Sequence, residues 1–346
     1  MTIWPFVAVF AVALGLTLAL TPVSIWLGKR LDIVDRPGGR RRHTGVVVRI
    51  GGLALFPAFA VAALLPVTLR LPRQDPLELI RLVGVVVGVG IIWVMGLLDD
   101  RFKLRPGLQF LGMALAAVAA ILCKVFIEVF NSPFSGRQVF IDWYLMVPLT
   151  FGWLVGMTET VNMLDGVDGL ATGVTAIASL VLFIHMVRLG QLTVALLPLA
   201  LLGVCLGFLV FNFYPAKVFL GGGAYVLGYA LGALAIVAGA KVATALLVLW
   251  VPIVDIAWQV YSRWKRGQPI SLGDRGHLQF RLQDSGWSAP QISLLYYAIT
   301  AGLGALALFS PSRILKLVVL LVLAGLVLLG LWVLTRKMGD RTPTGT

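Results

Sequence analysis

Two aspartates side by side, Asp99 and Asp100, close an apolar run reading V-G-V-G-I-I-W-V-M-G-L-L, and Arg101, Lys103 and Arg105 follow at once. The chain of 346 residues holds only 15 Asp plus Glu. Adjacent carboxylates repel each other and are costly at the end of an apolar segment, so the pair calls for a chemical reason. A second set, Asn162, Asp165 and Asp168 in N-M-L-D-G-V-D-G-L-A-T-G, closes another apolar run. Oxygen-bearing side chains of this kind ligate hard cations and, through them, phosphates. Together the two sets suggest a membrane-face site that handles a metal ion, a phosphate, or both.

The elements that must position these residues are membrane helices. Hydrophobic residues make up 59% of the chain and charged residues 12%, and the mean hydropathy is +0.96, far from the balance of a soluble domain. A helix needs roughly 20 apolar residues to cross the hydrocarbon core. By that ruler about eleven spans are expected, near residues 3–28, 50–69, 81–98, 107–127, 143–161, 168–188, 192–213, 218–238, 241–262, 291–309 and 313–335. The runs are continuous and rich in Leu, Ala, Val and Gly rather than alternating, which favours helices over a barrel. The expected fold is an all-α polytopic membrane protein. The first run has no basic residue ahead of it and is longer than a signal-peptide core, so it is read as a span.

Lys and Arg in short loops set orientation. The loop after the first run carries Lys29, Arg30, Arg36, Arg40, Arg41, Arg42 and Arg49; later loops on the same side carry Arg101, Lys103, Arg105, Arg263, Lys265, Arg266, Arg275 and Arg281. The opposite loops are poorer. The amino terminus is therefore expected outside and the carboxyl terminus in the cytoplasm, with both acidic sets on the cytoplasmic side of the plasma (inner) membrane. The net charge of +13 has two readings: attraction to anionic lipid, or the grip of Arg forks on a phosphorylated substrate. The basic residues are scattered between spans with no aromatic-interleaved basic domain, which argues against nucleic acid.

Cys123 and Cys205 both lie in apolar runs and give neither a disulfide framework nor metal-ligand spacing. The glycine-rich stretches sit inside spans, where small residues let helices approach, and follow no strand as a nucleotide-binding loop would.

Taken in order, the polar loops resemble one family. They read D-R-P-G-G-R-R-R-H-T-G-V-V-V-R-I-G-G from Asp35, G-L-L-D-D-R-F-K-L-R-P from Gly96, N-M-L-D-G-V-D-G-L-A-T-G from Asn162, F-N-F-Y-P-A-K-V-F-L-G from Phe211 and D-R-G-H-L-Q-F-R-L from Asp274. This series is similar to the polyprenyl-phosphate N-acetylhexosamine-1-phosphate transferases, glycosyltransferase family 4. The resemblance covers nearly the whole chain, and its specificity lies in the order of the five motifs. It implies one integral-membrane domain, residues 1–346, with active-site loops near 29–52, 99–106, 159–173, 214–224 and 263–290. It also implies transfer of a phospho-sugar from a UDP-N-acetylhexosamine to a polyprenyl phosphate, with release of UMP, for cell-wall or lipopolysaccharide glycans. Magnesium, or manganese in its place, is the implied cofactor, and a homodimer is compatible with the family.

By the same resemblance Asp99 and Asp100 are the catalytic pair, with their individual roles open. Asn162 is a metal contact, and Asp165 and Asp168 shape the nucleotide and metal pocket. Lys217, Arg40, His43, Arg275, His277 and Arg281 form the substrate-binding cationic side. Plainer readings stand beside these: Arg101 and Lys103 neutralising the acidic pair, Asp165 and Asp168 capping the next helix, and the basic residues anchoring at the interface.

Five positions depart from the family pattern. Gly222 stands where a metal-ligating aspartate is usual, in a stretch one residue shorter. Gln279 and Phe280 replace histidines, Glu159 an asparagine, and Gln109 a lysine. Glu159 and Asn162 are spaced i, i+3 and share a face of a continuing helix, so Glu159 is expected to replace the lost carboxylate as a metal ligand. Two function classes stay open: an active transferase with an altered donor site, and a silent relative that binds polyprenyl phosphate or nucleotide sugar or assists a glycan-assembly partner. A solute transporter fits less well, since the carboxylates sit at helix ends rather than mid-span.

Overall fold

A backbone surrounded by lipid must satisfy its own hydrogen bonds, and each of the apolar runs carries a helix. The computed structural model describes residues 3–36, 45–71, 73, 75–131, 138–238, 242–268, 276–310 and 312–339. In chain order the helices are α1 (Trp4–Arg30), α2 (Gly52–Thr68), α3 (Glu78–Phe102), α4 (Pro106–Leu122), α5 (Trp143–Leu164), α6 (Leu170–Arg188) and α7 (Leu192–Asn212). They continue with α8 (Gly223–Val237), α9 (Val242–Val248), α10 (Trp250–Lys265), α11 (Leu278–Asp284), α12 (Ala289–Phe309) and α13 (Arg313–Gly339). Two small antiparallel hairpins complete the described elements. β1 (Val34–Asp35) pairs with β2 (Val47–Val48), and β3 (Val129–Asn131) pairs with β4 (Gln138–Phe140).

Local chemistry sets several boundaries. Pro106 opens α4 after an extended Arg105, as proline does at a first helical position where no amide is needed. Ser288 and Gln291 form a reciprocal capping box at the start of α12. Lys103 ends α3 in the left-handed region, φ 50°.

The span count differs from the sequence expectation. Six helices are long and apolar enough to cross a membrane, α1, α3, α6, α7, α12 and residues 314–333 of α13, while α2, α4 and α8 are shorter apolar helices. The run expected as one span at 241–262 is two helices, α9 and α10, bent by 80°. Pro252 lies in the first turn of α10 and has no amide to bond Val248, so a bond that a continuous helix would make is missing at the break. Hydropathy is continuous across this break and carries no sign of it.

The 15-residue α8 is buried along its whole length, which is what a helix apolar on all sides requires. It packs against α3, α5, α6, α2 and α7, whereas α13 meets α10 and leaves most of its apolar side chains exposed. Lipid offers no hydrophobic drive for helix pairing, so close backbone approach at small residues carries it. On α7, a Cβ added to Gly203 would lie 3.0 Å from the Phe10 carbonyl oxygen and 2.8 Å from Ala13 Cβ of α1. One added to Gly228 of α8 would lie 2.7 Å from the Met157 carbonyl oxygen of α5. Buried Thr17 and Thr21 of α1 donate to the carbonyls one turn back, Ala13 at 2.8 Å and Thr17 at 2.7 Å, and so need no partner across the interface.

Gly203→Leu is expected to lower the unfolding temperature in detergent, at a cost of about 1–3 kcal/mol for overpacking. Gly15→Ala, where an added Cβ meets nothing within 4 Å, serves as the control and is expected to be neutral or stabilising.

Candidate functional site

The last turn of α3 places both aspartates of the acidic pair in buried positions and gives them different tasks. Both Asp100 oxygens accept the Gly222 amide, at 2.9 and 3.0 Å, and Arg49 Nε lies 3.6 Å from Oδ1; the Asp100 side chain has no exposed surface. Asp99 turns the other way. Its Oδ1 accepts the Leu104 amide at 2.9 Å and Gln109 Nε2 at 2.9 Å. The left-handed Lys103 makes this possible by folding the chain back over the helix end. Arg101 and Lys103 therefore do not neutralise the pair as the plainer reading held: Arg101 sits over the Phe102 ring, 5.9 Å from its centre.

The position of the usual metal aspartate is closed. Gly222 lies flat on the Gly96 backbone, and a Cβ on Gly222 would collide with the Gly96 carbonyl carbon, carbonyl oxygen and Cα. A Cβ on Gly96 would meet the Gly222 carbonyl oxygen at 2.6 Å. The contact leaves no room for a side chain there, so the loss read from sequence is built into the packing of α3 against the start of α8.

Around this contact the first and fourth loops form one ladder. Phe219 N donates to the Val48 carbonyl at 2.8 Å, Gly51 N to Phe219 at 3.0 Å and Gly52 N to Leu220 at 3.0 Å. This ladder holds Arg49 beside Asp100. Asp168 Oδ2 accepts the Ala216 amide at 3.0 Å and so fixes the turn that carries Lys217, which is itself exposed. The capping expectation for Asp165 and Asp168 is corrected here: the N-cap residue of α6 is Gly169, φ 73°, with no side-chain cap. Asp165 ends α5 and lies within electrostatic reach of Asp100.

A cavity of about 540 Å³ opens beside Asp99, between α4, α5 and α10. Gln109, Glu159, Asn162, Gln259, Arg263 and His277 supply its polar wall; Phe110, Met113, Val155, Ile256 and Val260 are among its apolar residues. The predicted shared face is present: Asn162 Nδ2 donates to Glu159 Oε2 at 3.1 Å. Glu159 and Asp99 are electrostatic neighbours. His277 is buried at the start of α11, and its Nδ1 lies 2.7 Å from Asp255 Oδ2 of α10. Arg281, expected on the substrate side, donates to the carbonyls of Gly276 at 2.6 Å and Leu331 at 3.1 Å. It ties α11 to α13 instead of lining the cavity. Gln279 donates to the Met163 carbonyl at 2.8 Å and joins α11 to the end of α5. Arg40, His43 and Arg275 lie outside the described residues.

Asp255, Gln259 and Arg263 are the functional candidates that the sequence reading passed over. They stand at i, i+4 and i+8 on α10, all buried. That polar stripe in an apolar run was the available signal; it lies just ahead of the last loop, where attention to the motif began. Among the described residues no three His, Cys, Asp or Glu side chains converge to hold a metal unaided. The oxygens of Glu159 and Asn162, with Asp99 nearby, are instead the partial oxygen set that suits magnesium, which keeps water and substrate oxygens in its shell.

A family model described as glycosyl transferase family 4 matches residues 82–239. The chain is 31% identical over 326 residues to the probable undecaprenyl-phosphate N-acetylglucosaminyl 1-phosphate transferase of Bacillus subtilis, covering 92% of this chain and 88% of the relative. It is 30% identical over 318 residues to the decaprenyl-phosphate N-acetylglucosaminephosphotransferase of Mycolicibacterium smegmatis, covering 83% and 78%. With the phospho-N-acetylmuramoyl-pentapeptide-transferase of Desulforudis audaxviator it shares 31% over 333 residues, covering 88% and 97%.

Gly222→Asp is expected to damage the protein rather than restore a ligand. The side chain has to displace the Gly96 backbone, so the unfolding temperature in detergent falls, and magnesium raises it no more than in the wild type. A variant as stable as the wild type with a new magnesium response would show that the contact yields.

Proposed function

The chain belongs to glycosyl transferase family 4, and on that premise we propose that it transfers a phospho-N-acetylhexosamine from a UDP-linked donor to a polyprenyl phosphate, releasing UMP. The reaction is placed at the cytoplasmic face of the plasma membrane, with the amino terminus outside, in line with the distribution of Lys and Arg among the loops. The observation that carries this reading is the mixed lining of the cavity beside Asp99: the oxygens of Glu159 and Asn162 and the cationic Arg263 share it with Phe110, Met113, Val155, Ile256 and Val260. A polar headgroup with an isoprenoid tail and a nucleotide diphosphate both find their chemistry there.

In the step proposed, an oxygen of the lipid phosphate attacks the β-phosphorus of the donor. The bond from that phosphorus to the bridging oxygen breaks, and UMP departs with the electron pair. An ionised phosphate is already a nucleophile, so no base need strip a proton from it. Asp99 is the member of the pair beside the cavity, because its Oδ1 is held by the Leu104 amide and by Gln109, which lines the cavity. Asp100 acts through structure: it binds the Gly222 amide and draws Arg49 toward the site. Glu159 and Asn162 would hold magnesium, or manganese, which supplies charge neutralisation on the diphosphate when bound. Arg263, which lines the cavity from α10, offers a donor fork to the remaining phosphoryl oxygens.

The test uses purified protein in detergent with undecaprenyl phosphate and a panel of UDP-N-acetylhexosamines, following UMP with and without magnesium. Magnesium-dependent UMP release from at least one donor is expected. No release from any donor, with the Bacillus subtilis relative active in parallel, would overturn the reading. In the same assay Glu159→Gln is expected to raise the magnesium requirement by roughly tenfold or more, and an unchanged magnesium dependence would remove Glu159 from the metal site.

A further inference from the structure

The carboxylate of Asp255 divides its two oxygens between neighbours in the last loop. Oδ2 lies 2.7 Å from His277 Nδ1, and Oδ1 accepts the Leu278 amide at 3.0 Å. Both side chains of the pair are enclosed, His277 with 5% and Asp255 with 4% of its surface exposed. A carboxylate this deep needs donors, and the ring can be one only if Nδ1 carries a proton. The other ring nitrogen, Nε2, is buried with no hydrogen-bond partner among the described residues, although His277 lines the cavity that Glu159, Asn162 and Arg263 share. An unsatisfied buried polar atom costs about 1–3 kcal/mol. As a mere clasp between α10 and α11, the Leu278 bond would suffice without that cost.

We propose that Asp255 is a positioning residue for the transfer step: it holds His277 with Nδ1 protonated and aims the Nε2 lone pair at a hydroxyl or N–H hydrogen of the bound uridine nucleotide. The assignment rests on the transferase reading of the cavity. With Nδ1 donating to Asp255, Nε2 is the ring's acceptor and needs a donor hydrogen from the ligand. Arg263 lines the same cavity and favours an anion there, while Glu159 faces it from α5; Tyr296 of α12 is the remaining titratable group within electrostatic reach of Asp255. No proton need be transferred: the acceptor fixes the nucleotide and, with it, the β-phosphorus in line with the attacking phosphate. The arrangement parallels the carboxylate that fixes the imidazole in a serine-protease triad, where exchange for an amide keeps the geometry and reverses the tautomer.

The chain has three histidines, His43, His185 and His277, so nitrogen-15 histidine labelling of the full protein in detergent is readily assigned with a His277→Gln control. Nδ1 of His277 is expected to be protonated in the wild type, and addition of UDP is expected to shift the Nε2 signal. Asp255→Asn keeps the Leu278 bond and turns an amide N–H toward Nδ1, so the proton moves to Nε2. The expected result is a kcat lower by roughly tenfold to a hundredfold, with KM for the UDP-sugar changed less. Combining it with His277→Gln should be no worse than His277→Gln alone, as for residues that act as a unit. An unprotonated Nδ1 in the wild type, an Nε2 signal indifferent to UDP, or a folded Asp255→Asn with wild-type kcat would each overturn the assignment. A wild type that releases no UMP would sink the transferase reading, whereas the imidazole signals judge Asp255 without turnover.

Discussion

The bond from the Gly222 amide to the Asp100 carboxylate, made where the Gly96 and Gly222 backbones touch, is the constraint on which the rest of the site depends. The first amides of a helix have no partner inside it, and α8 begins deep in the protein where water cannot serve. Asp100 supplies an acceptor at the positive end of that helix dipole. Arg49 offsets the buried charge, and the ladder from Val48 to Leu220 keeps Arg49 in place. Once the start of α8 is set, Gly228 and Gly232 fix the approach of α5, and with it the height at which Glu159 and Asn162 meet the cavity.

Much of this was legible as residue types and much was not. The acidic pair, the five loops and the helical class follow from local pattern alone. The division of labour inside the pair does not, because two identical neighbours on a helix point about 100° apart and only the surrounding fold says what each one faces. Gln109 and Glu159 read as losses from the family pattern, yet each replaces what was lost with a new bond, Gln109 to Asp99 and Glu159 to Asn162. Gly222 was visible as a missing carboxylate; its cause, the Gly96 backbone, lies more than a hundred positions away. Asp255 escaped because it stands in an apolar run, and its partner His277 was read only within its own motif.

The energetics of the site favour division over concentration. Asp99 and Asp165 lie within electrostatic reach of Asp100, and Asp99 within reach of Glu159, in a mostly apolar setting. Their mutual repulsion is contained by giving each a donor of its own kind where the structure shows one: an amide for Asp100, a glutamine and an amide for Asp99, an asparagine for Glu159. At Asp99 and Glu159 these neutral donors hold the carboxylate without cancelling its charge, so a field that attracts a cation survives there, whereas Asp100 has Arg49 at 3.6 Å. Had Lys or Arg filled those places, the pocket would have been satisfied before any ligand arrived.

The 80° break between α9 and α10 changes how two reactants are counted. Along α10, Ile256 and Val260 lie next to the stripe of Asp255, Gln259 and Arg263, so one helix presents an oily edge and a charged edge to the same cavity. A lipid-borne molecule reaches such a wall by searching an area, and a nucleotide by searching a volume. The first is governed by its density in the bilayer and the second by its concentration in water, so the same protein can be starved of one while saturated with the other.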